Sequence, residues 1–459
     1  MFFILITSAC FLLIFYVYFK NRNYWIQRNI VQVDKDAWHF IFGKCGLPEV
    51  YKKIYDNYPL EKYVGTFIGT RPVLVLRNLE DIQAVLQGDF QSFHGRGYKS
   101  NPKDVLSDNL LLIDEYERWK LIRQKMTPVF TTHKLKNMFS IMERCTEDFA
   151  EYIEKHKGTS EEIFEALHTF TSATIGATVF GINSTTDNTM ESSILDKGWK
   201  RIYSTFLFNL KFALANIWPK LYNLLNLKAF SEHEDFFIGI MKEILNYRRR
   251  LQDKRHDFMD TCLELQNQGT MFDLSTGYRI EPTDEILAAQ AFSFIIAGVD
   301  TTANSLNFTL MELSNHPNIL KKLHDELDSI LNNTMDRISY EDLKKMKYLD
   351  MIISESVRKY PPIGLMQRMC TKNTVLPSGG IKIENGSIVV VPIFGIHRDE
   401  KYYTNPEKFD PERFASKNFE KFVKFSYLPF GEGQRICLGK MFYIIFFLKY
   451  LNSVDPIIE

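Results

Sequence analysis

The chain has 459 residues, 45% of them hydrophobic, and carries 56 basic and 56 acidic side chains. Zero net charge gives no case for a nucleic-acid partner, and the length suits either two or three domains or one large helical domain with a small sheet. The cysteines Cys10, Cys45, Cys145, Cys262, Cys370 and Cys437 show neither paired spacing nor a zinc pattern and suit a reducing compartment.

From Phe2 to Phe19 the chain is apolar except for Thr7 and Ser8, long enough to cross a bilayer with a slight tilt. Lys20, Arg22 and Arg28 follow, and no small-residue cleavage site is present. The pattern predicts an uncleaved anchor over residues 1–22 with a body over 23–459 on the cytosolic side; a cleaved signal peptide is the alternative.

Residues from about Lys62 to Arg77 read as a hairpin of apolar, β-branched strands around Gly69. In Trp119-Lys-Leu-Ile-Arg123 an indole N–H and a guanidinium stand one helical turn apart, where they can grip one acidic group. A long apolar helix is predicted from near Ile286 past Leu310. It contains Ala297-Gly298-Val-Asp300-Thr301-Thr302, where Thr301 can bond back to the Ala297 carbonyl and loosen the ladder. By itself the hexapeptide also reads as a core helix with a polar kink.

Glu355 and Arg358 share a helical face at i,i+3 and can pair, and Pro361-Pro362 ends that helix. A second hairpin is predicted over Gly380 to Val391, with Asn385-Gly386 as its turn. Helical periods dominate the rest, with stops such as Asn315-His-Pro317.

The run Phe430-Gly-Glu-Gly433-Gln-Arg435-Ile-Cys437-Leu-Gly439 reads as a metal-thiolate loop. A thiolate that binds iron must stay deprotonated, be approached by backbone N–H groups and be shielded from water. Gly433 and Gly439 would let the backbone pass close to a flat cofactor, Arg435 can hold a carboxylate in a bidentate grip, and Phe430 can cover the sulfur. The alternative is an inert cysteine buried at a helix start.

This run resembles the haem-binding loop of the cytochrome P-450 superfamily, whose cysteine is the proximal iron ligand. Ala297 to Thr302 matches that family's oxygen-activation motif at every position, and Asp410-Pro411-Glu-Arg413-Phe414 matches its Pro-Glu-Arg-Phe segment. The resemblance covers nearly all of residues 30 to 450. It implies a mainly α fold with a minor β-sheet subdomain behind an N-terminal transmembrane helix, and haem b held through Cys437. It further implies a groove for dioxygen at Ala297 and Gly298, and proton delivery by Asp300 and Thr301. Trp119, Arg123 and Arg368 would join Arg435 on the haem propionates. Glu355, Arg358 and Arg413 would form a charged cluster behind the haem, with a structural role.

Phe93-His-Gly-Arg96-Gly97 and the segment from Asn109 to Phe139 look like insect microsomal enzymes of the detoxifying group. That likeness implies insertion of one oxygen atom of O2 into an apolar xenobiotic or endogenous lipophile. Electrons would come from NADPH through the membrane-bound NADPH-cytochrome reductase, with cytochrome b5 as a further partner, at the endoplasmic reticulum. By position, Phe93 to Asp108, Tyr203 to Leu227, Phe292 to Ala297 and Ile363 to Met366 should face substrate, with Phe206, Phe208, Phe212, Phe292 and Met366 as apolar walls.

Two departures stand against the family pattern. The usual proline-rich hinge is replaced by Trp25-Ile-Gln-Arg28-Asn-Ile-Val, which is expected to loosen the body on its anchor. After Cys437 there are 22 residues, enough for a helix over 438–451, so the family's C-terminal β hairpin is expected to be missing and one pocket wall open. A non-catalytic haem protein and a haem-thiolate isomerase or dehydratase are the alternative functions.

Overall fold

The computed structural model describes residues 16, 23–33, 46–98, 101–155, 160–182, 206–251, 255, 257–331 and 339–445. Apart from Tyr16, the expected anchor lies outside these residues, and so does everything after residue 445, including the end of the helix that follows Cys437.

The body is mainly helical. Its axis is the helix Asp284–Asn315, 32 residues long, which starts where the Thr283 side chain accepts the Ile286 amide N–H and stops ahead of Pro317. This helix is long and apolar enough to cross a membrane by length and composition, yet most of it is buried inside the protein, as a core helix is. Helices Ser160–Ile175, Glu234–Leu251 and Lys347–Lys359 pack around it. The largest apolar core, including Phe149, Phe170, Phe258, Phe292 and Leu306, lies among these helices.

A four-stranded sheet runs in the order β1 (Tyr63–Ile68), β2 (Arg71–Leu76), β8 (Ile388–Val391), β5 (Met366–Met369). A separate short pair, β3 (Met271–Phe272) with β4 (Arg279–Ile280), precedes the long helix. The first hairpin is as expected: Ile68 pairs with Arg71 across a tight turn in which Gly69 takes φ +59°. The second is corrected. β7 (Lys382–Ile383) pairs antiparallel with β6 (Thr374–Val375), while β8 leaves it to pair parallel with β2 and antiparallel with β5. The reason is burial: all four residues of Ile388–Val391 are buried, so this strand needs neighbours on both edges, whereas β7 alternates exposed and buried. Asn385-Gly386 therefore hands the chain from one sheet to another, with the Gly386 N–H donated to the Cys370 carbonyl at 2.7 Å.

The segment in place of the proline hinge is docked onto the sheet. Trp25 is buried, its indole N–H donates to the Thr66 carbonyl at 2.9 Å, and its ring fills the space above Gly65, where any Cβ would lie 2.2 Å from it. That close approach ties residues 23–33 to β1.

Candidate active site

The Cys437 loop is a short 3-10 turn, Gly433–Arg435, followed by the cysteine and, from Lys440, a helix. Cys437 N–H donates to the Phe430 carbonyl at 2.9 Å, and the Ile436 carbonyl accepts from Arg123 Nη2 at 2.7 Å. The cysteine side chain is exposed. Burial among its neighbours still pushes the thiol up, while the Gly439 N–H and the charges of Arg123, Arg96 and Lys440 pull it back.

One expectation for this loop changes. Gly433, at φ +76°, would place a Cβ 2.0 Å from the Leu86 carbonyl oxygen, so it admits the backbone of residues 84–88 and not a flat cofactor. A Cβ on Gly439, in contrast, would meet only Cys437 Sγ at 4.0 Å. The Phe430 ring packs edge-on against Tyr443 at 5.3 Å, and it is the Phe430 carbonyl that reaches the cysteine.

Four arginines surround the loop. Trp119 and Arg123 project from the helix Tyr116–Met126, Arg368 from β5, Arg435 from the loop itself, and Arg96 from the turn before Gly97. Arg435 lies over the Trp119 ring at 4.4 Å and donates Nη2 to the Ile113 carbonyl at 2.8 Å. Its Nε and Nη1, with Nε of Arg96 and of Arg368, are buried and have no hydrogen-bond partner among the described residues. Burial lowers Arg435 to about 8, helped by Arg96, Arg368 and Arg123 and opposed by Asp114. Burial likewise lowers Arg368 to about 9 and Arg123 to about 10. Buried cations with unmet N–H donors demand an anion.

In the sequence, Arg96 stands out only as part of a family likeness. Its arrival beside Arg435 depends on the Asp114 carboxylate, which accepts the Arg96 and Gly97 amide N–H groups at 2.7 and 3.2 Å and folds that loop inward. An arginine next to a glycine in a loop assigned to the pocket was the signal available.

On the long helix the Thr301 hydroxyl donates to the Ala297 carbonyl, as expected, and Ala297 is exposed in an otherwise buried stretch. Gly298 is corrected: it faces away, and a Cβ there would lie 2.8 Å from Ile175 Cδ1, so its smallness lets helix Ser160–Ile175 approach. Asp300 is turned the same way, and its Oδ1 meets Nε2 of His168 on that helix at 2.9 Å. Sequence reasoning missed His168, because nothing local marks a residue 132 positions away.

The charged cluster forms as implied. Arg358 donates Nε and Nη2 to the Glu355 carboxylate at 2.7 and 2.9 Å, Arg413 Nε reaches the same carboxylate at 3.3 Å, and Glu355 and Arg358 are fully buried. The aromatic walls fare less well. Phe292 is fully buried against Phe230 and Phe237, which makes it core and not pocket lining. Phe212 is partly exposed and lies 5.6 Å from Tyr98. The side chains of Phe206 and Phe208 lie outside the described residues. Met366, partly buried, abuts Gly431.

An exposed thiol ringed by buried, under-satisfied guanidinium groups fits a flat iron macrocycle carrying carboxylates. The comparisons agree. The cytochrome P450 family model matches residues 22–444. Cytochrome P450 6B7 of Helicoverpa armigera is 33% identical over 444 residues, covering 93% of this chain and 86% of its own. Cytochrome P450 6B5 of Papilio glaucus is 35% identical over 453 residues, covering 96% and 94%, and cytochrome P450 6k1 of Blattella germanica is 30% identical over 462 residues, covering 95% and 87%.

Proposed function

The chain belongs to the cytochrome P450 family and is a P450 monooxygenase, and we propose that Cys437 is the thiolate ligand of its haem iron and that its substrate is an apolar organic molecule. The observation that carries the assignment is the convergence of buried N–H groups of Arg96, Arg368 and Arg435 around the loop of an exposed cysteine. With Trp119 and Arg123 they would hold the haem carboxylates, each ion pair relieving an uncompensated buried charge.

When bound, haem supplies the activation of dioxygen at iron, which no side chain can perform. The protein's part is to bind, orient and manage protons. The Gly439 N–H and the charges of Arg123 and Arg96 would favour the Cys437 thiolate against the burial that pushes the thiol up. Thr301, which already donates to the Ala297 carbonyl, can accept a proton from solvent and pass its own inward. Asp300 would recharge it through the exposed part of its side chain, while His168 holds the carboxylate in place.

Electrons would come from NADPH through a membrane-bound reductase, with cytochrome b5 as a second donor, and the body would sit on the cytosolic face of the endoplasmic reticulum behind the 1–22 anchor. The apolar run and the following basic residues support the anchor. The test is expression with reductase and NADPH: the reduced carbon monoxide difference spectrum should show a thiolate-type band, and NADPH use should rise with an apolar substrate. Haem incorporation without that band would sink the Cys437 assignment.

A further inference from the structure

Asp114 stands where three parts of the proposed haem cradle meet, and the proposed reaction gives it no task. It follows Ile113, whose carbonyl accepts from Arg435 Nη2 at 2.8 Å, and precedes the helix Tyr116–Met126 that carries Trp119 and Arg123. Its Oδ1 accepts the Arg96 and Gly97 amide N–H groups at 2.7 and 3.2 Å. The carbonyls of that turn are bound from the other side, by the four-stranded sheet. Gly95 accepts the Met369 N–H at 2.7 Å, Arg96 accepts Gln367 Nε2 at 2.7 Å, and Gly97 accepts Arg71 Nη1 at 3.0 Å. The turn is therefore pinned to the sheet through its carbonyls and to the start of the Tyr116 helix through one carboxylate oxygen. It also fits closely: a Cβ on Gly97, at φ +78°, would lie 2.6 Å from Ile388 Cδ1. The other oxygen of Asp114, Oδ2, is buried and has no hydrogen-bond partner among the described residues. A bare carboxylate oxygen out of water is tolerated only where cations face it. The charge of Asp114 does act on Arg71, Arg96 and Arg435, in each case against the burial that lowers the guanidinium.

We propose that Asp114 is a positioning residue for the cofactor: it fixes the 95–97 turn so that the Arg96 side chain stays beside Arg368 and Arg435, and through Arg96 it slows the loss of haem. The inference rests on the haem-binding monooxygenase reading and deepens it by naming a residue that acts on the cofactor only through another. Arg96 is placed by its backbone, since its own Nε has no partner among the described residues. Arg123 and Arg368 sit on a helix and a strand whose ladders hold them, whereas Arg96 sits on a turn. Without the Asp114 carboxylate both amide N–H groups of that turn lose their acceptor, and the side chain it carries loses its aim.

The test uses the full-length holoenzyme as wild type, Asp114→Ala, Asp114→Asn, Arg96→Ala and the double variant Asp114→Ala with Arg96→Ala. Haem release to an apo-globin trap is timed, and hydrogen exchange of the peptide 93–98 is followed in parallel. Asp114→Ala should speed exchange at residues 96 and 97 and raise the rate of haem release by about tenfold, the lower end for a hydrogen bond to a charged group. Asp114→Asn keeps an acceptor for the two amides without the charge and should fall between. The double variant should release haem no faster than the faster single variant, because both substitutions act through one side chain. A general loosening of the fold would instead add to the effect of Arg96→Ala, so rate increases that multiply in the double variant would overturn the proposal. Faster exchange with wild-type haem release would reduce Asp114 to a structural latch and overturn it as well; unchanged exchange would overturn the latch itself. If Asp114→Ala does not fold, Asp114→Asn alone and combined with Arg96→Ala carries the same readouts, and the same outcomes overturn the proposal. A wild type that binds no haem would defeat the monooxygenase reading and this inference with it, whereas haem bound and released at one rate with and without the Asp114 carboxylate defeats the inference alone.

Discussion

Nε2 of His397 accepts the Leu428 amide N–H at 2.8 Å, which makes the buried ring a neutral tautomer whose Nδ1–H donates to the Arg358 carbonyl at 3.0 Å. The imidazole therefore joins the charged cluster at Glu355 to the strand of chain that leads into the Cys437 loop.

Burial, with the charges of Arg358 and Arg398, lowers His397 to about 3. The folded ring stays neutral while an unfolded one would take up a proton below its ordinary value of about 6.5. The unfolded state thus binds more protons in that window, and stability should fall as pH drops from about 6.5 toward 3. Thermal melts of wild type and His397→Gln across this range should show a shallower pH slope for the variant. Equal slopes would remove His397 as the cause.

Glu355 accepts from two arginines and from the Asp410 amide N–H at 2.9 Å. Glu355→Ala leaves Arg358, fully buried, without its counter-charge. A loss of roughly 3–5 kcal/mol is expected, enough to remove most folded protein at 37 °C. Soluble yield and a denaturant titration check it; a loss below about 1 kcal/mol would mean the cluster is held by the carbonyls of His397 and Pro406 that Arg358 also contacts.

Arg435→Met should separate two effects of opposite sign. In the haem-free chain it removes a buried cation that lacks partners on Nε and Nη1, so the melting point should rise or hold, by up to about 1–3 kcal/mol of relief. In the loaded enzyme it removes a carboxylate partner, so haem should dissociate faster to an apo-globin trap. Destabilisation of the haem-free chain would show that the Trp119 contact and the Ile113 bond outweigh the charge.

His168→Leu should leave haem content unchanged and raise the ratio of hydrogen peroxide to oxygenated product by about tenfold or more, the size of one charge-assisted hydrogen bond. Asp300→Asn should act in the same direction, and the double variant should be no worse than the more severe single, because both act through the contact at 2.9 Å. Additive effects would place His168 outside the proton route.

Much of the site was legible before any fold. Cys437, Arg435 and Gly439 lie within one loop, and the Thr301 to Ala297 bond and the Glu355–Arg358 pair each span a single helical turn, so local spacing was enough. The misreadings share a cause. Gly298 and Gly433 are small because Ile175 and the Leu86 carbonyl approach them from elsewhere in the chain, and Phe292 is core because Phe230 and Phe237 close over it. A residue's type and its neighbours in sequence cannot say which distant surface will arrive.

The amino-acid sequence by itself determined the family, the helix-rich body with a small sheet, the candidate thiol ligand and the Thr301 to Ala297 bond, since each depends on residue chemistry at short, regular spacing. Only the tertiary structure decided which strand completes β8, that Arg96 joins the cluster of arginines and that His168 holds Asp300. These contacts cross more than a hundred residues, and they exist because burial forces each polar group to find a partner wherever packing puts one.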